Sequence, residues 1–241
     1  MRIGFFIIAI LIGIQGVTLA DSNVINGVNN TCDFLGGFGP NSKINSLIEV
    51  DEHFIVGGNF SSYRSHPIQN IAKINKVSCE LDILFSGPSG FDGTVNSLEK
   101  TDSHLFVGGD FSLYKKEPVG KIAKIDLVTG NLDPEFSSKS GFNSSVYSMA
   151  ILGESIYVGG DFSTYGAGIC LRLAKLNNKT GSLDQLFSRS SGFDSRVTRI
   201  EVKNHRLLVS GKFKSYREVD ADGTISLDLL DGSWLGSLTI P

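Results

Sequence analysis

The feature that most constrains the fold of this chain is a nine-residue segment that returns at a fixed interval. FVGGDFSLY occupies residues 106–114, IVGGNFSSY residues 55–63 and YVGGDFSTY residues 157–165, while a less regular copy, LVSGKFKSY, occupies residues 208–216. GF pairs, LDxxF segments and IAK or LAK segments recur at nearly the same spacing. A period of about fifty residues indicates tandem units that each pack on their neighbours.

Each unit is predicted to contain four short strands separated by turns. In the second unit, VNSLEK from Val95 is the first strand, and LFVGGDF is apolar on consecutive residues, as in strands covered on both faces. KIAKID from Lys121 is the third strand, and NLDPEF is the fourth, with Pro134 suited to an outer edge. The pattern predicts an all-β fold, a β-propeller of four tandem blades of about 51 residues, with the glycine motif as the inner strand. A β-solenoid is the main structural alternative, although its coils are usually shorter.

The residues that recur in every unit are interpreted as structural. Paired glycines in a covered strand are expected where another backbone approaches closely or the strand bends. Short acids favour turns because their oxygens bond nearby backbone amides, whereas a calcium site would need several oxygens at one place. The structural repeat residues are Gly58, Gly109, Gly160, Gly211, Phe60, Phe111, Phe162, Phe213, Asp82, Asp133 and Asp184. Two further acid or amide sets have the same interpretation: Asn59, Asp110 and Asp161, and Asp92, Asn143 and Asp194.

The tyrosines that end the nine-residue motif are candidates for a binding rim. They are Tyr63, Tyr114, Tyr165 and Tyr216. Aromatic rings gathered at one end of a propeller could stack on a sugar or a peptide, whereas packing in the core is the favoured alternative.

The N-terminus is predicted to direct export. Residues 1–20 have one cation at Arg2, an apolar run and small residues before Ala20, which is the layout of a cleaved signal peptide. An uncleaved anchor is the alternative. Residues 21–37 are then a lead with a candidate latch strand, and residues 38–241 are the repeat domain of a secreted, extracellular or cell-envelope protein.

Export to an oxidising compartment permits one disulfide among the three cysteines. Cys170 falls where other copies have Ile68 and Val119, so it is interpreted as a small buried apolar residue. Cys32 and Cys79 are therefore the candidate disulfide pair.

The segment VGGDF…KIAKIDLVTGNLDPEFSSKSGFNSSV and its copies resemble the delta-60 repeat of bacterial β-propeller proteins. The resemblance covers residues 41–193, and it implies a propeller and export but no established catalytic activity. The fourth copy departs from the pattern at Ser210, Lys212 and Leu235. Its DGSWLGS segment is similar to the repeats of fungal cortical-marker surface proteins.

Two hypotheses about function remain. A net charge of −3 and a pI near 5.8 argue against a nucleic-acid partner. The favoured hypothesis is a non-enzymatic binding or scaffold module at the cell surface, without cofactor, metal or mature membrane span, whose partner is a protein or glycan. The alternative is a propeller enzyme acting on extracellular glycans. Its mark would be acids, histidine or arginine that break the repeat at one rim.

Closure of the blades is a separate question. The chain allows a closed ring, an open arc that self-associates with a second subunit, or part of a longer array. A four-blade arrangement within one chain is favoured because the irregular fourth copy resembles a terminal, capping repeat. The segment NNTCDFL at residues 29–35 is then expected beside the last blade as a latch.

Overall fold

The computed structural model describes residues 17–18, 40–137, 141–188 and 192–237. Strand β1 (Val17–Thr18) comes first. Blade 1 contains β2 (Lys43–Val50), β3 (His53–Asn59), β4 (Ser62–Tyr63), β5 (His66–Pro67) and β6 (Ile71–Asn75). Blade 2 contains β7 (Thr94–Lys100), β8 (His104–Asp110), β9 (Leu113–Tyr114), β10 (Glu117–Pro118), β11 (Ile122–Asp126) and the short helix α1 (Pro134–Ser137).

The last two blades repeat this layout. Blade 3 contains β12 (Val146–Leu152), β13 (Ser155–Gly160), β14 (Thr164–Tyr165), β15 (Gly168–Ile169) and β16 (Leu173–Asn177). Blade 4 contains β17 (Val197–Lys203), β18 (Arg206–Gly211), β19 (Ser215–Tyr216), β20 (Val219–Asp220), β21 (Thr224–Leu227) and β22 (Trp234–Ser237). The prediction of an all-β fold made of repeated propeller blades is confirmed.

Each blade is an antiparallel meander in which the glycine strand is the middle strand. The sheet orders are β2-β3-β6, β7-β8-β11, β12-β13-β16 and β17-β18-β21, extended by β1 in the first blade and β22 in the last. The first strand of each following blade (β7, β12, β17) packs on both the first strand and the glycine strand of the blade before it. The prediction that the glycine strand is the inner strand is therefore wrong. Its continuous burial arises because it has a strand on either side and blades or loops over its faces.

The predicted fourth strand is reduced in the first three blades. Only the leucine of each LDxxF segment forms a β-bridge, at Leu81, Leu132 and Leu183. In blade 2 the Asp133 carboxylate accepts hydrogen bonds from the amides of Glu135 and Phe136, at 2.9 and 3.0 Å. This caps a helical turn that starts at Pro134, where a missing N–H costs nothing. Pro134 therefore begins a helix. The prediction that it belongs to an outer edge strand is wrong.

The two glycines of the motif have different neighbours. A Cβ on the first glycine would lie 2.4–2.6 Å from a valine Cγ1 of the following blade, for the pairs Gly57 and Val95, Gly108 and Val146, and Gly159 and Val197. A Cβ on the second would lie 2.1–2.2 Å from a backbone carbonyl oxygen at the start of the first strand of its own blade or directly before it, at Gly58, Gly109, Gly160 and Gly211. The first glycine thus admits the next blade, and the second admits a β-bulge.

A serine hydroxyl joins each blade to the next. The amide N–H groups of Leu98, Met149 and Ile200 donate to the side chains of Ser46, Ser97 and Ser148, at 3.1, 3.1 and 3.0 Å. These bonds satisfy amides at the bulges that the sheet ladder leaves without a strand partner. Sequence analysis did not single out these serines, although their 51-residue spacing was a visible signal.

The array is open in the described part of the chain. No strand of blade 4 forms a substantial packing interface with a strand of blade 1 there. Strand β1, which falls within the predicted signal peptide, pairs antiparallel with β2, with Val17 opposite Leu47. The remainder of the predicted signal and lead, including the latch at residues 29–35, lies outside the described residues. No helix of the described ranges is both long and apolar enough to cross a membrane.

One acid lies inside a blade junction. Glu99 is 3% exposed and occupies the repeat position of Ile48 and Ala150. Burial raises its pKa from the ordinary 4.5 to about 8. Because the folded chain keeps this proton over a pH range in which the unfolded chain has lost it, folding stability falls as pH rises from 4.5 to 8.

Neutralising this acid is expected to stabilise the fold at alkaline pH. At pH 8, Glu99→Gln should raise the free energy of unfolding by about 2–4 kcal/mol, and at pH 4 the gain should be absent. Thermal melts at the two pH values measure the difference, with Glu52→Gln at an exposed position as the control. An equal gain at both pH values would show that the Glu99 carboxyl is not desolvated.

Candidate functional site at the bulge rim

The four motif tyrosines are core residues and do not form a binding rim. Their exposed fractions are between 0 and 7%, and each ring packs on phenylalanines of its own blade in blades 2 to 4, with ring centroids 4.4–4.7 Å apart. Each hydroxyl donates to a backbone carbonyl sixteen residues further along, at Cys79, Gly130, Gly181 and Gly232, over 2.7–2.8 Å. Burial raises the pKa of Tyr165 and Tyr216 to about 12. The two short strands of each blade, such as β9 and β10 in blade 2, form a small hairpin. The tyrosines hold this hairpin against the turn after the third long strand.

The acids of the LDxxF segments bind buried lysines of the third strands. Lys73 and Asp82 are 3.0 Å apart, and the equivalent pairs in blades 2 and 3 are 2.7 and 3.4 Å apart. Burial opposes ionisation of Asp82, but hydrogen bonds from Lys73 and from the amides of Phe85 and Leu84 outweigh it and lower its pKa. The lysine also donates to the carbonyl of Leu127 in the next blade, at 3.0 Å. Each acid therefore joins its turn to the third strand, and the lysine joins that strand to the next blade.

The acids and amides after the GF pairs hold the small hairpins. Asp92 accepts hydrogen bonds from the amides of Ser112 and Leu113, at 2.7 and 2.8 Å. Asn41, Asn143 and Asp194 make the same pair of contacts in the other blades. This recurrence leaves them no unique chemical role.

The cysteines and histidines do not converge on one place. Cys79 is disulfide-bonded and Cys170 is a buried free thiol, while Cys32, the predicted partner of Cys79, lies outside the described residues. His104 is half-buried, 3.6 Å from Asp133 and 2.7 Å from the Ser103 hydroxyl. Among the described residues no three His, Cys, Asp or Glu side chains gather closely enough to hold a metal ion.

A distinct group of side chains stands where the first strand of each blade bulges. The register shifts at Asn45, Asn96, Tyr147 and Thr198, one position before the junction serine or its counterpart. A bulge redirects the side chain of the extra residue, and such bulges are frequent beside functional sites. We call this set, together with the flanking Arg196 and Asp161, the bulge rim.

Two members of the bulge rim follow the repeat. The side-chain amide of Asn45 donates to the carbonyl of Val95, and that of Asn96 donates to the carbonyl of Val146, both at 2.9 Å. Each asparagine therefore spans a blade junction beside the junction serine. Both amides remain part-buried, so this part of the rim is a polar edge held in place by the blades themselves.

Blade 3 breaks the pattern with an aromatic ring. The Arg196 guanidinium lies 5.0 Å from the ring centroid of Tyr147 and 2.5 Å from the Asp161 carboxylate, and the hydrogen bond to that carboxylate raises the pKa of Arg196. The Tyr147 hydroxyl lies 3.4 Å from the same carboxylate oxygen. The Arg196 and Asp161 side chains are 40 and 29% exposed. The aromatic ring of Tyr147, the Arg196 cation and the Asp161 anion thus meet at a partly exposed part of the bulge rim.

Charged residues continue along the rim on either side of this cluster. Asp110 and Lys121 are paired at 3.1 Å, with the Asp110 side chain 59% exposed, and Lys212 is exposed in blade 4. An arginine that breaks the repeat was the mark expected of an enzyme. Here it is bound to a carboxylate that belongs to the repeat, so the pair presents hydrogen-bond donors and acceptors together.

Sequence analysis missed Tyr147 and Arg196. Tyr147 departs from the repeat, because it stands at the position of Asn45 and Asn96, and this departure was a visible signal. The repeat position of Arg196 holds Lys43, Thr94 and Ser145, so it has no shared residue and gave no such signal. The two residues come from different repeat positions, which lie side by side only at the bulge.

The comparisons with known proteins agree with this architecture. The family model described as "Domain of unknown function (DUF5122) beta-propeller" matches residues 155–187, most of blade 3. No curated protein matches the chain. The blade geometry and this match place the chain in the class of β-propellers built from repeated blades.

Solved structures are similar at the level of the fold. The computationally designed Ika8 protein has 16% identity and a TM-score of 0.51, covering 83% of this chain and 63% of its own. The extracellular domain of the putative one component system BT4673 from B. thetaiotaomicron has 14% identity and a TM-score of 0.51, covering 86% of this chain and 23% of its own. The WD40 β-propeller domain of Doa1 has 18% identity and a TM-score of 0.45, covering 68% and 47%. The chain spans less than two thirds of each of these three.

Proposed function

We propose that this chain is a secreted or cell-surface, non-enzymatic binding module that holds an extracellular glycan at the bulge rim. The observation that carries the proposal is the cluster of Tyr147, Arg196 and Asp161, where the repeat is broken at a bulge. The recurring acids and tyrosines already serve the blades, so the residues that depart from the repeat are the ones left for a ligand.

The chemistry of the cluster fits a sugar. A sugar ring has an apolar C–H face that packs on an aromatic ring, and its hydroxyls both donate and accept hydrogen bonds. Tyr147 offers an aromatic ring, Arg196 offers donors and Asp161 offers acceptors, on a scaffold that blade packing keeps rigid. The side-chain oxygens of Asn45 and Asn96 extend the row of acceptors along the rim.

Two features of the sequence support an extracellular setting. The first 20 residues have the composition of a secretory signal, and the repeat resembles the delta-60 repeats of exported bacterial propellers. The likeness of the DGSWLGS segment to fungal cortical-marker repeats points the same way. An enzyme acting on glycans is the second candidate, favoured only by the arginine that breaks the repeat at this rim.

A glycan array tests the proposal. The wild-type protein should bind a defined set of glycans, and Tyr147→Asn, which restores the residue of blades 1 and 2, should weaken that binding at least tenfold. Lys116→Ser, on an exposed hairpin turn, is the control and should bind as the wild type does. Bound glycans should be recovered intact after long incubation. Cleaved glycans would favour the enzyme, and capture of an envelope protein without glycan binding would favour a protein partner.

A further inference from the structure

Each of the first three blades presents an apolar surface to the blade that follows it, which we call its trailing face. Ile71 of blade 1 belongs to the core cluster of blade 2. Ile122 and Leu173 stand at the same position in blades 2 and 3, and they join the clusters of blades 3 and 4. Every junction also has the first motif glycine, which admits a valine, and the serine that accepts an amide.

The trailing face of blade 4 has lost all three features. Thr224 replaces the apolar residue, Ser210 replaces the glycine and Arg199 replaces the serine, each 51 residues beyond its counterpart in blade 3. The Thr224 hydroxyl donates to the Ser210 hydroxyl at 3.3 Å. Arg199 pairs with Glu201 at 3.5 Å, and their side chains are 55 and 43% exposed. Polar side chains therefore stand at these three positions of the face, although Leu208 keeps the apolar position of Ile55, Phe106 and Tyr157.

The opposite surface of the same blade keeps the repeat. Val197 and Ile200 are 0 and 5% exposed, and they enter the junction with blade 3 as their counterparts do elsewhere. Val197 meets Gly159, and the amide of Ile200 donates to Ser148. The leading face of blade 4 thus keeps the junction residues of the repeat, whereas the trailing face does not.

Each change opposes the stacking of another blade. A side chain at Ser210 occupies the space that a valine methyl enters at the other junctions, where a Cβ would come within 2.6 Å of it. Burial of Arg199 would strip water from an ion pair, and the incoming bulge amide would lose its hydroxyl acceptor. Thr224 would contribute less apolar area than the Ile or Leu at its counterpart positions.

We propose that the trailing face of blade 4 is an end cap that prevents a second copy of this chain from stacking its first blade there. Polar outer faces of this kind keep the ends of repeat arrays soluble. The inference is independent of the glycan proposal, because it concerns a face of the blade and not the bulge rim.

Reversal of the cap tests this proposal. The triple variant Arg199→Ser, Ser210→Gly, Thr224→Ile gives blade 4 the junction residues of the internal blades. A control triple, Lys116→Ser, Ser65→Gly, Gln185→Ile, makes similar changes at exposed positions elsewhere. Light scattering over a wide range of protein concentration should find the wild type and the control monomeric and the cap variant dimeric or larger. Cross-links from the variant should join blade 4 of one copy to blade 1 of another.

Two results would overturn the proposal. One is a folded triple variant that stays monomeric at every concentration, and the other is a wild-type protein that already associates through blade 4. Circular dichroism first establishes that the variant is folded. If the triple variant does not fold, Arg199→Ser alone decides the question. That position is exposed, and the single change should produce weak association that the Lys116→Ser control lacks.

Discussion

Replacement of Asp82 by alanine is expected to lower the free energy of unfolding by about 3–5 kcal/mol, the usual cost of removing one partner of a buried ion pair. The Lys73 side chain is 9% exposed, so in the variant it would lose its partner with little water to replace it. The variant also loses a carboxylate that accepts the amides of Leu84 and Phe85 at 3.1 and 3.3 Å. Chemical denaturation of the two proteins at neutral pH measures the difference.

A paired variant separates charge burial from packing. Lys73→Met with Asp82→Asn removes both charges, and because uncharged replacements of buried pairs are often tolerated, it should recover most of the loss. The pH dependence has a definite sign. Since the folded pKa of Asp82 lies below the ordinary 3.8, the pair stabilises the protein above that pH and the stability is lost as pH falls through the folded value. A double variant as unstable as Asp82→Ala would contradict this account.

Gly109→Val is expected to destabilise blade 2 strongly. The new Cβ would lie 2.2 Å from the carbonyl oxygen of Thr94 and 2.8 Å from the Phe111 ring. Because Thr94 directly precedes Val95, which packs against Gly57 of blade 1, its carbonyl cannot retreat without disturbing that junction. Overpacking typically costs about 1–3 kcal/mol and more against rigid backbone, so the melting temperature should fall by several degrees, at about 2–4 °C per kcal/mol for a chain of this size.

Gly87→Val is the matched control for this substitution. A Cβ at Gly87 would meet no heavy atom within 4 Å. Its melting temperature should therefore stay within about 2 °C of the wild type, as expected for a surface change. Similar melting temperatures for Gly109→Val and Gly87→Val would show that the bulge does not hold the carbonyl of Thr94 in this position.

The repeat made most of the fold predictable. The period and the first three of the four predicted strands in each unit were readable from the sequence. They were readable because identical neighbours select identical residues, as the glycine pair shows. The order of strands within a blade was not readable from burial alone, because a middle strand and an inner strand are both covered on two faces. The prediction of a fourth strand was wrong in blade 2 for a local reason. An aspartate followed by proline, as at Asp133 and Pro134, is also a signal for the start of a helix.

The site was harder to predict than the fold. A repeat shows what blades share, whereas Tyr147 departs from the repeat and Arg196 stands at a repeat position where no residue is shared. The bulge brings these two repeat positions together, and a bulge is a feature of strand register that the sequence does not display. The tyrosines that the sequence offered instead, such as Tyr114, recur because they hold a hairpin against a turn, so their regularity is itself the sign of a structural role.

The central claim is that repeated residues hold the blades together and that the residues breaking the repeat at the rim bind the ligand. Parallel melting and glycan-binding measurements on Tyr147→Asn and Ser97→Ala test it most directly. Tyr147→Asn should lose binding and keep its melting temperature, whereas Ser97→Ala should keep binding and melt earlier, since the Met149 amide loses its acceptor. If both variants lose binding and stability together, or if Tyr147→Asn binds as the wild type does, the division of roles is wrong.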